Sequence, residues 1–388
     1  MGPVKEAVRP AGEKATSGDG IANLPAIVDC DVHPSVADIS QLRSYMSKRA
    51  ARRVFGKQLA VYARDPNRIP HPSSGLRLDA LPPRGGVPGS DPAYCAEQLL
   101  DPYGISAAVL TSIQSGIVAS WGDEEAGAEY VSAVNRYMIE EWVGYDSRYR
   151  LALNVSPYHV PAAVAEIERY AEEPGVCGVF IPHVGIGMGR SSLFPIFEAA
   201  EAHGLPVVVH PTGAEGNLTQ APRLAGGLPD TYPERHSLLL QPGQAILASM
   251  VFGGVFERFP KLMLVLSEYG FTWIGSMLHK MDSAWRQGGD GELSGLSKAP
   301  SQTVRTNVRF TSQPLDEPET LSELWEMLDL VGADGMLMFS SDYPHWDNDD
   351  PAVILQSRLP EHLRRRIGYQ TAVECFGAGR LGLSGLDL

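Results

Sequence analysis

Cysteine is scarce: four occur in 388 residues (Cys30, Cys95, Cys177 and Cys375), and none stands at a paired spacing. That leaves no cysteine zinc site and no disulfide framework, and it fits thiols kept reduced in a cytoplasm. Long apolar runs are missing too. The strongest, 206–209 and 262–266, fall far short of the roughly 18 residues a membrane span needs, so a soluble protein without a membrane partner is expected. Positive charge is in deficit, 32 Lys and Arg against 46 Asp and Glu, for a net charge of −14. Such a surface repels phosphate backbones and argues against nucleic acid. A phosphate-binding loop is absent as well: Gly253-Gly254 lacks the spacing and the lysine, and reads as a point of close helix packing. A small-molecule substrate is the partner left.

What the chain does have is 44% hydrophobic residues, enough to bury a large core. Residues 1–23, a mix of Gly, Lys, Glu, Ser and Thr, read as a disordered tail, and 24–388 as one domain. Short β-rich runs stand at 26–31, 107–112, 151–155, 178–182, 206–210, 262–268, 308–311 and 337–341. Most are continuously apolar, the mark of strands buried on both faces of a parallel sheet. Helical patterns separate them at 124–143, 160–173, 192–203, 244–258, 271–286, 317–330 and 361–375. Strand then helix, about eight times over, predicts the α/β class and a (β/α)8 TIM barrel. Two segments exceed a plain βα loop: 44–97 after the first strand and 212–233 after the fifth. As insertions after strands 1 and 5 they would emerge at the C-terminal face, and 44–97 would cover the active site.

Polar residues end four of the apolar strands. The first ends in Asp29-Cys30-Asp31-Val32-His33-Pro34, the fifth in His210, the sixth in Ser267-Glu268 and the eighth in Asp342, followed by Tyr343-Pro344-His345-Trp346. Residues two apart on a strand share a face, so Asp31 and His33 can chelate one cation, with Asp29 alongside if the strand starts early enough. Strand ends converge at a barrel mouth, which lets residues hundreds apart meet at one metal. Each has a plainer reading by itself: a core histidine for His210, a helix cap for Asp342, a dipole partner for Glu268.

The strings Asp29 to Pro34, Val209-His210-Pro211, Glu268 to Trp273 and Ser341 to Trp346 resemble the amidohydrolase-2 family, relatives of aminocarboxymuconate semialdehyde decarboxylase, over about 25–383. The resemblance implies a metal-dependent barrel with Asp31, His33, His210 and Asp342 as ligands. Two positions depart from the family pattern. Asp31 stands where better-known members have His or Glu, and Glu268 where many decarboxylases carry a catalytic histidine. An anionic oxygen ligand shifts preference from zinc towards manganese or iron, so the divalent ion is zinc, manganese or iron, with one or two bound.

Three chemistries follow. Hydrolysis by activated water would use Asp342 and Glu268 as ligands or bases, with His183 polarising the substrate oxygen. Non-oxidative decarboxylation of a carboxylated ring would need a cation for the carboxylate, from Arg190, Arg68 or Arg77. The alternative from another class is redox chemistry: the carboxylate and imidazole set, extended by His236 or His345, suits non-haem iron, and the resemblance to this branch of the family implies a di-iron monooxygenase acting on a terpenoid-like intermediate of secondary metabolism. His345 is expected to orient Asp342, Tyr343 to lie beside it, and Trp346 to line the pocket. The Arg364-Arg365-Arg366 run reads as a solvated face, and a homo-oligomer is compatible with the composition.

Overall fold

The eight apolar runs become eight strands: β1 Val28–Val32, β2 Ala107–Leu110, β3 Tyr149–Asn154, β4 Val176–Pro182, β5 Val207–His210, β6 Leu264–Leu266, β7 Val308–Thr311 and β8 Leu337–Met338. The structure is a computed structural model and describes residues 24–55, 75–113, 123–183, 185–211, 229, 231–288, 295–316, 318, 320–355 and 359–385. The expected tail, 1–23, lies outside the described residues, as do 56–74 of the first long segment and nearly all of 212–230 in the second.

Each strand pairs in parallel with the next in sequence. Backbone bonds join the last to the first: Cys30 N–H donates to Phe339 O (2.9 Å), His33 N–H to Tyr343 O (2.8 Å) and Asp342 N–H to Asp31 O (3.1 Å). This is the expected α/β TIM barrel. Alternation along each strand divides the core in two. Leu110, Ile181, Val209, Leu266 and Phe310 pack with the helices, while Cys30, Val109, Val208, Val265 and Met338 fill the interior. The helix Thr371–Phe376 contributes Ala372, Cys375 and Phe376 to the interior cluster.

Local chemistry sets the helix ends. The Asp123 carboxylate accepts the Ala126 N–H (3.2 Å) at the start of Glu124–Tyr137, and Thr320 with Glu323 forms a capping box for Leu321–Val331. Gly253 permits the close approach read from the sequence, since a Cβ there would sit 2.6 Å from both Gly189 O and Ser249 O. Helices that escape the sequence reading include Pro92–Cys95, Pro351–Ile354, Lys48–Phe55, Tyr232–Leu238 and Pro300–Asn307. The last offers few apolar residues to a periodicity argument. The basic run is not a solvated face throughout, because Arg364 is buried and its Nε donates to Leu359 O (3.1 Å).

The returning end of the first long segment runs beside the eighth-strand motif. Arg77 N–H donates to Pro344 O (2.9 Å) and Trp346 N–H to Gly75 O (3.0 Å).

Candidate metal centre

A plain strand would place Asp29, Asp31 and His33 on one face. The β1–β2 register shifts between Asp29 and Val32, however, and such an irregularity re-aims side chains. Asp31 and His33 reach the mouth together, and Asp29 does not. Its Oδ1 accepts the N–H groups of Asp31 (3.2 Å) and Ser341 (3.0 Å), and its charge acts on Cys95 in the strand–helix layer.

At the mouth, His210 Nε2 lies 3.1 Å from Asp31 Oδ2 and 3.0 Å from Glu268 Oε2. His33 Nε2 lies 2.7 Å from Asp342 Oδ1, and His345 Nδ1 lies 2.6 Å from the same oxygen. Two overlapping groups result: Asp31, His33, His210 and Asp342, and then His33, Glu268, Asp342 and His345, with the ligand atoms of each within 4.8 Å of one another. All six side chains are buried.

The donor set suits a divalent cation. His33 Nδ1 is 2.9 Å from Thr111 O, and His210 Nδ1 bonds to Pro211 O. Backbone carbonyls thereby fix each ring and leave Nε2 as the ligand nitrogen, the usual support of a metal-binding histidine. Neither Nε2 has an aligned hydrogen-bond partner among the described residues, although carboxylates stand close. Such atoms converge on a shared space rather than on each other. Asp31 is held in turn by the Thr111 hydroxyl (2.5 Å to Oδ1) and the Ser267 hydroxyl (2.6 Å to Oδ2).

Without a cation, protons balance these charges. Burial would raise the Asp31 pKa, but His210 and His33 outweigh it and hold the carboxyl below its ordinary range. Asp342 is lowered likewise, its burial offset by His345 and His33. Burial would lower His345, yet Asp342 and Glu268 bring it up to about 9. A cation in the same space takes the place of those protons.

Glu268 and Asp342 both have left-handed backbone, φ 61° and 64°. Non-glycine residues adopt it at a cost, and such positions concentrate at functional sites. β6 and β8 also stop before the limits expected from sequence, at Leu266 and Met338. The Glu268 N–H donates to Thr311 Oγ1 (3.1 Å). Glu268 does not cap the next helix, Ile274–Gln287, whose N-cap position is Trp273.

Of the other sequence candidates, His183 is buried at the end of β4, with its N–H on His210 O (3.0 Å) and its ring 6.1 Å from Tyr269, outside both groups. The Tyr343 hydroxyl turns away to Gln98 Oε1 (2.8 Å). His236 Nε2 is 3.9 Å from Asp347 Oδ2, and half-exposed Trp346 lies 5.0 Å from the Tyr232 ring. Arg77 is engaged by Asp79 and Asn348, while Arg68 lies outside the described residues. Sequence reasoning missed the Thr111 and Ser267 hydroxyls that hold Asp31, although both were findable as polar residues ending apolar strands.

Comparison with solved structures gives the same fold. The chain superposes on 5-carboxyvanillate decarboxylase from Novosphingobium aromaticivorans, complexed with manganese and 4-hydroxy-3-methoxy-5-nitrobenzoic acid, with a TM-score of 0.66 at 16% identity over 94% of this chain and 99% of that one. A Rhizobium 2,6-dihydroxybenzoate decarboxylase gives 0.63 at 18%, over 90% and 98%. In sequence, 127 residues are 32% identical to the 2-amino-3-carboxymuconate-6-semialdehyde decarboxylase of Dictyostelium discoideum, covering 30% of this chain and 32% of that relative. The match thus spans about a third of the relative's length. The oxygenase alternative finds no support among these proteins. The family model described as Amidohydrolase matches residues 28–378, and the chain belongs to that family.

Proposed function

We propose that the protein is a divalent-metal-dependent lyase that removes a carboxylate from a ring compound without oxidation. The observation that carries this is the buried group of Asp31, His33, His210 and Asp342, whose two Nε2 atoms are left for a cation. It stands in a fold shared with decarboxylases of carboxyvanillate and dihydroxybenzoate. Manganese is the preferred ion, given the two carboxylates in the group.

When bound, the cation supplies Lewis-acid binding for the substrate carboxylate and an adjacent oxygen. Asp31, His33, His210 and Asp342 would hold it. Their burial excludes water, which strips the carboxylate of hydration and favours its loss. As the bond between ring and carboxylate breaks, carbon dioxide leaves and the electron pair stays on the ring carbon. Glu268 or His345 delivers the proton that this carbon takes.

Hydrolysis is the second reading, favoured by Glu268 at 3.0 Å from His210, where a carboxylate can serve as general base. Manganese-loaded protein given 2,6-dihydroxybenzoate and 5-carboxyvanillate separates the two. Carbon dioxide release above the protein-free rate is expected; no release from either, with cleavage of an aryl ester or lactone instead, would overturn the lyase reading.

A further inference from the structure

Besides Asp29 Oδ2 and Asp342 Oδ2, two buried carboxylate or amide oxygens have no hydrogen-bond donor among the described residues: Asp347 Oδ1 and Gln313 Oε1. Both belong to otherwise well-fixed side chains. Gln313 follows β7 and is 1% exposed, with its N–H on Ser340 Oγ (3.0 Å) and its Nε2 on the Asp347 carbonyl (3.3 Å). Asp347 accepts the Tyr232 hydroxyl at Oδ2, with His236 Nε2 3.9 Å away. The Tyr232 ring stands 5.0 Å from Trp346 and 5.4 Å from His236, so aromatic faces flank the carboxylate. Asp347 stands in the turn that follows Asp342, where the His345 N–H donates to Asp342 O (2.9 Å) and the Asn348 N–H to His345 O (3.2 Å), which places it beside the metal group.

A buried acceptor without a donor is costly, and native proteins leave few. Fixed partners hold the second functional atom of each side chain, so the open oxygens do not turn away to find donors of their own. A carboxylate and an amide oxygen both accept, which sets the sign of what they recognise: a group that donates. Flat rings alongside suit a flat ligand.

We propose that Asp347 and Gln313 form a substrate subsite, accepting hydrogen bonds from a hydroxyl or amino group carried on the ring away from its metal-binding end. The subsite rests on the carboxylated-ring reading above and narrows it to donor-bearing rings. It makes Asp347 and Gln313 specificity residues, with Tyr232 positioning the carboxylate.

The test is calorimetric titration of the manganese-loaded full chain. The parent probe is 2-hydroxybenzoate, and the donor-bearing probes are its 4-, 5- and 6-hydroxy and 4-amino derivatives. At least one derivative should bind about 10-fold tighter than the parent, the scale of one charge-assisted hydrogen bond. Asp347→Ala and Gln313→Leu should each remove most of that advantage. The readout is the ratio of the two affinities, because a merely structural role weakens parent and derivative alike and leaves the ratio intact. An unchanged ratio in both variants overturns the subsite, and so does a wild-type protein that favours no derivative. If Asp347→Ala does not fold, Asp347→Asn keeps the shape, removes the charge and should cost the amino derivative most. Should the parent itself fail to bind, the carboxylated-ring reading falls and the subsite's ligand with it. That result is distinct from a parent that binds with no advantage for its derivatives.

Discussion

The Asp29 carboxylate accepts the Ser341 N–H at 3.0 Å, across 312 residues of sequence, and so ties the start of β1 to the segment that carries Asp342. The same oxygen holds the Asp31 N–H. One buried side chain therefore spaces two ligand-bearing segments that belong to opposite ends of the chain.

Burial raises the Asp29 pKa from 3.8 to about 7. Because the folded value is the higher one, the folded protein binds the extra proton between those limits. Stability from this group is then complete below about pH 4 and lost as pH rises through about 7. Asp29→Asn keeps an acceptor for both N–H groups and never ionises. In metal-free protein, thermal melting from pH 4 to 8 should show a decline for wild type that is flatter in the variant. Parallel curves would remove Asp29 as the source.

Metal retention should rank the histidines. His33→Ala and His210→Ala each remove an atom that faces the shared space, and after dialysis both should keep little metal. His345→Ala should keep more, since its Nδ1 is turned to Asp342 Oδ1 (2.6 Å). Thr111→Val deletes the hydroxyl on Asp31 and should weaken the ion by about 10- to 100-fold, the usual scale for a group that orients a ligand. Equal retention across the histidine variants would take His33 and His210 out of the coordinating set.

The strand count was legible because parallel strands buried on both faces read as unbroken apolar runs, as in Val207-Val208-Val209. The centre was partly legible for a related reason: His210, Glu268 and Asp342 are the first ionisable residues after such runs. Asp29 was not, since the shift that turns it from the mouth is a matter of register between β1 and β2. Asp347 and Gln313 come from the loops after β8 and β7 and Tyr232 from the start of the helix Tyr232–Leu238, and no periodicity links them. The Gly253-Gly254 reading holds for Gly253 alone, which comes close to Gly189 in the loop after β4, whereas Gly254, at φ 71°, turns the chain and meets no neighbour among the described residues.

Gly189 carries a packing prediction. A Cβ there would lie 1.8 Å from the Ser249 carbonyl oxygen, a backbone atom that does not step aside. Gly189→Ala should therefore cost about 1–3 kcal/mol or more, read as a lowered melting temperature in the metal-free protein. Melting within a degree of wild type would show that the loop after β4 does not press on the helix Leu240–Phe252, which carries Ser249.

Glu268 decides between one ion and two. Its carboxylate is 3.0 Å from His210 Nε2 and belongs to the group that also contains His33, Asp342 and His345. The left-handed backbone at φ 61° aims it there. Glu268→Gln preserves shape and hydrogen-bonding atoms but removes the charge. In a mononuclear site the residue handles a proton, so metal content should survive while turnover falls about 100-fold or more. If Glu268 instead holds a second ion, the same change should take stoichiometry from two ions per chain towards one, with turnover falling alongside. Helix capping no longer competes, because the next helix begins at Ile274 behind Trp273. Metal analysis and turnover on this one variant thus separate proton transfer from ligation, and unchanged values for both would remove Glu268 from the chemistry.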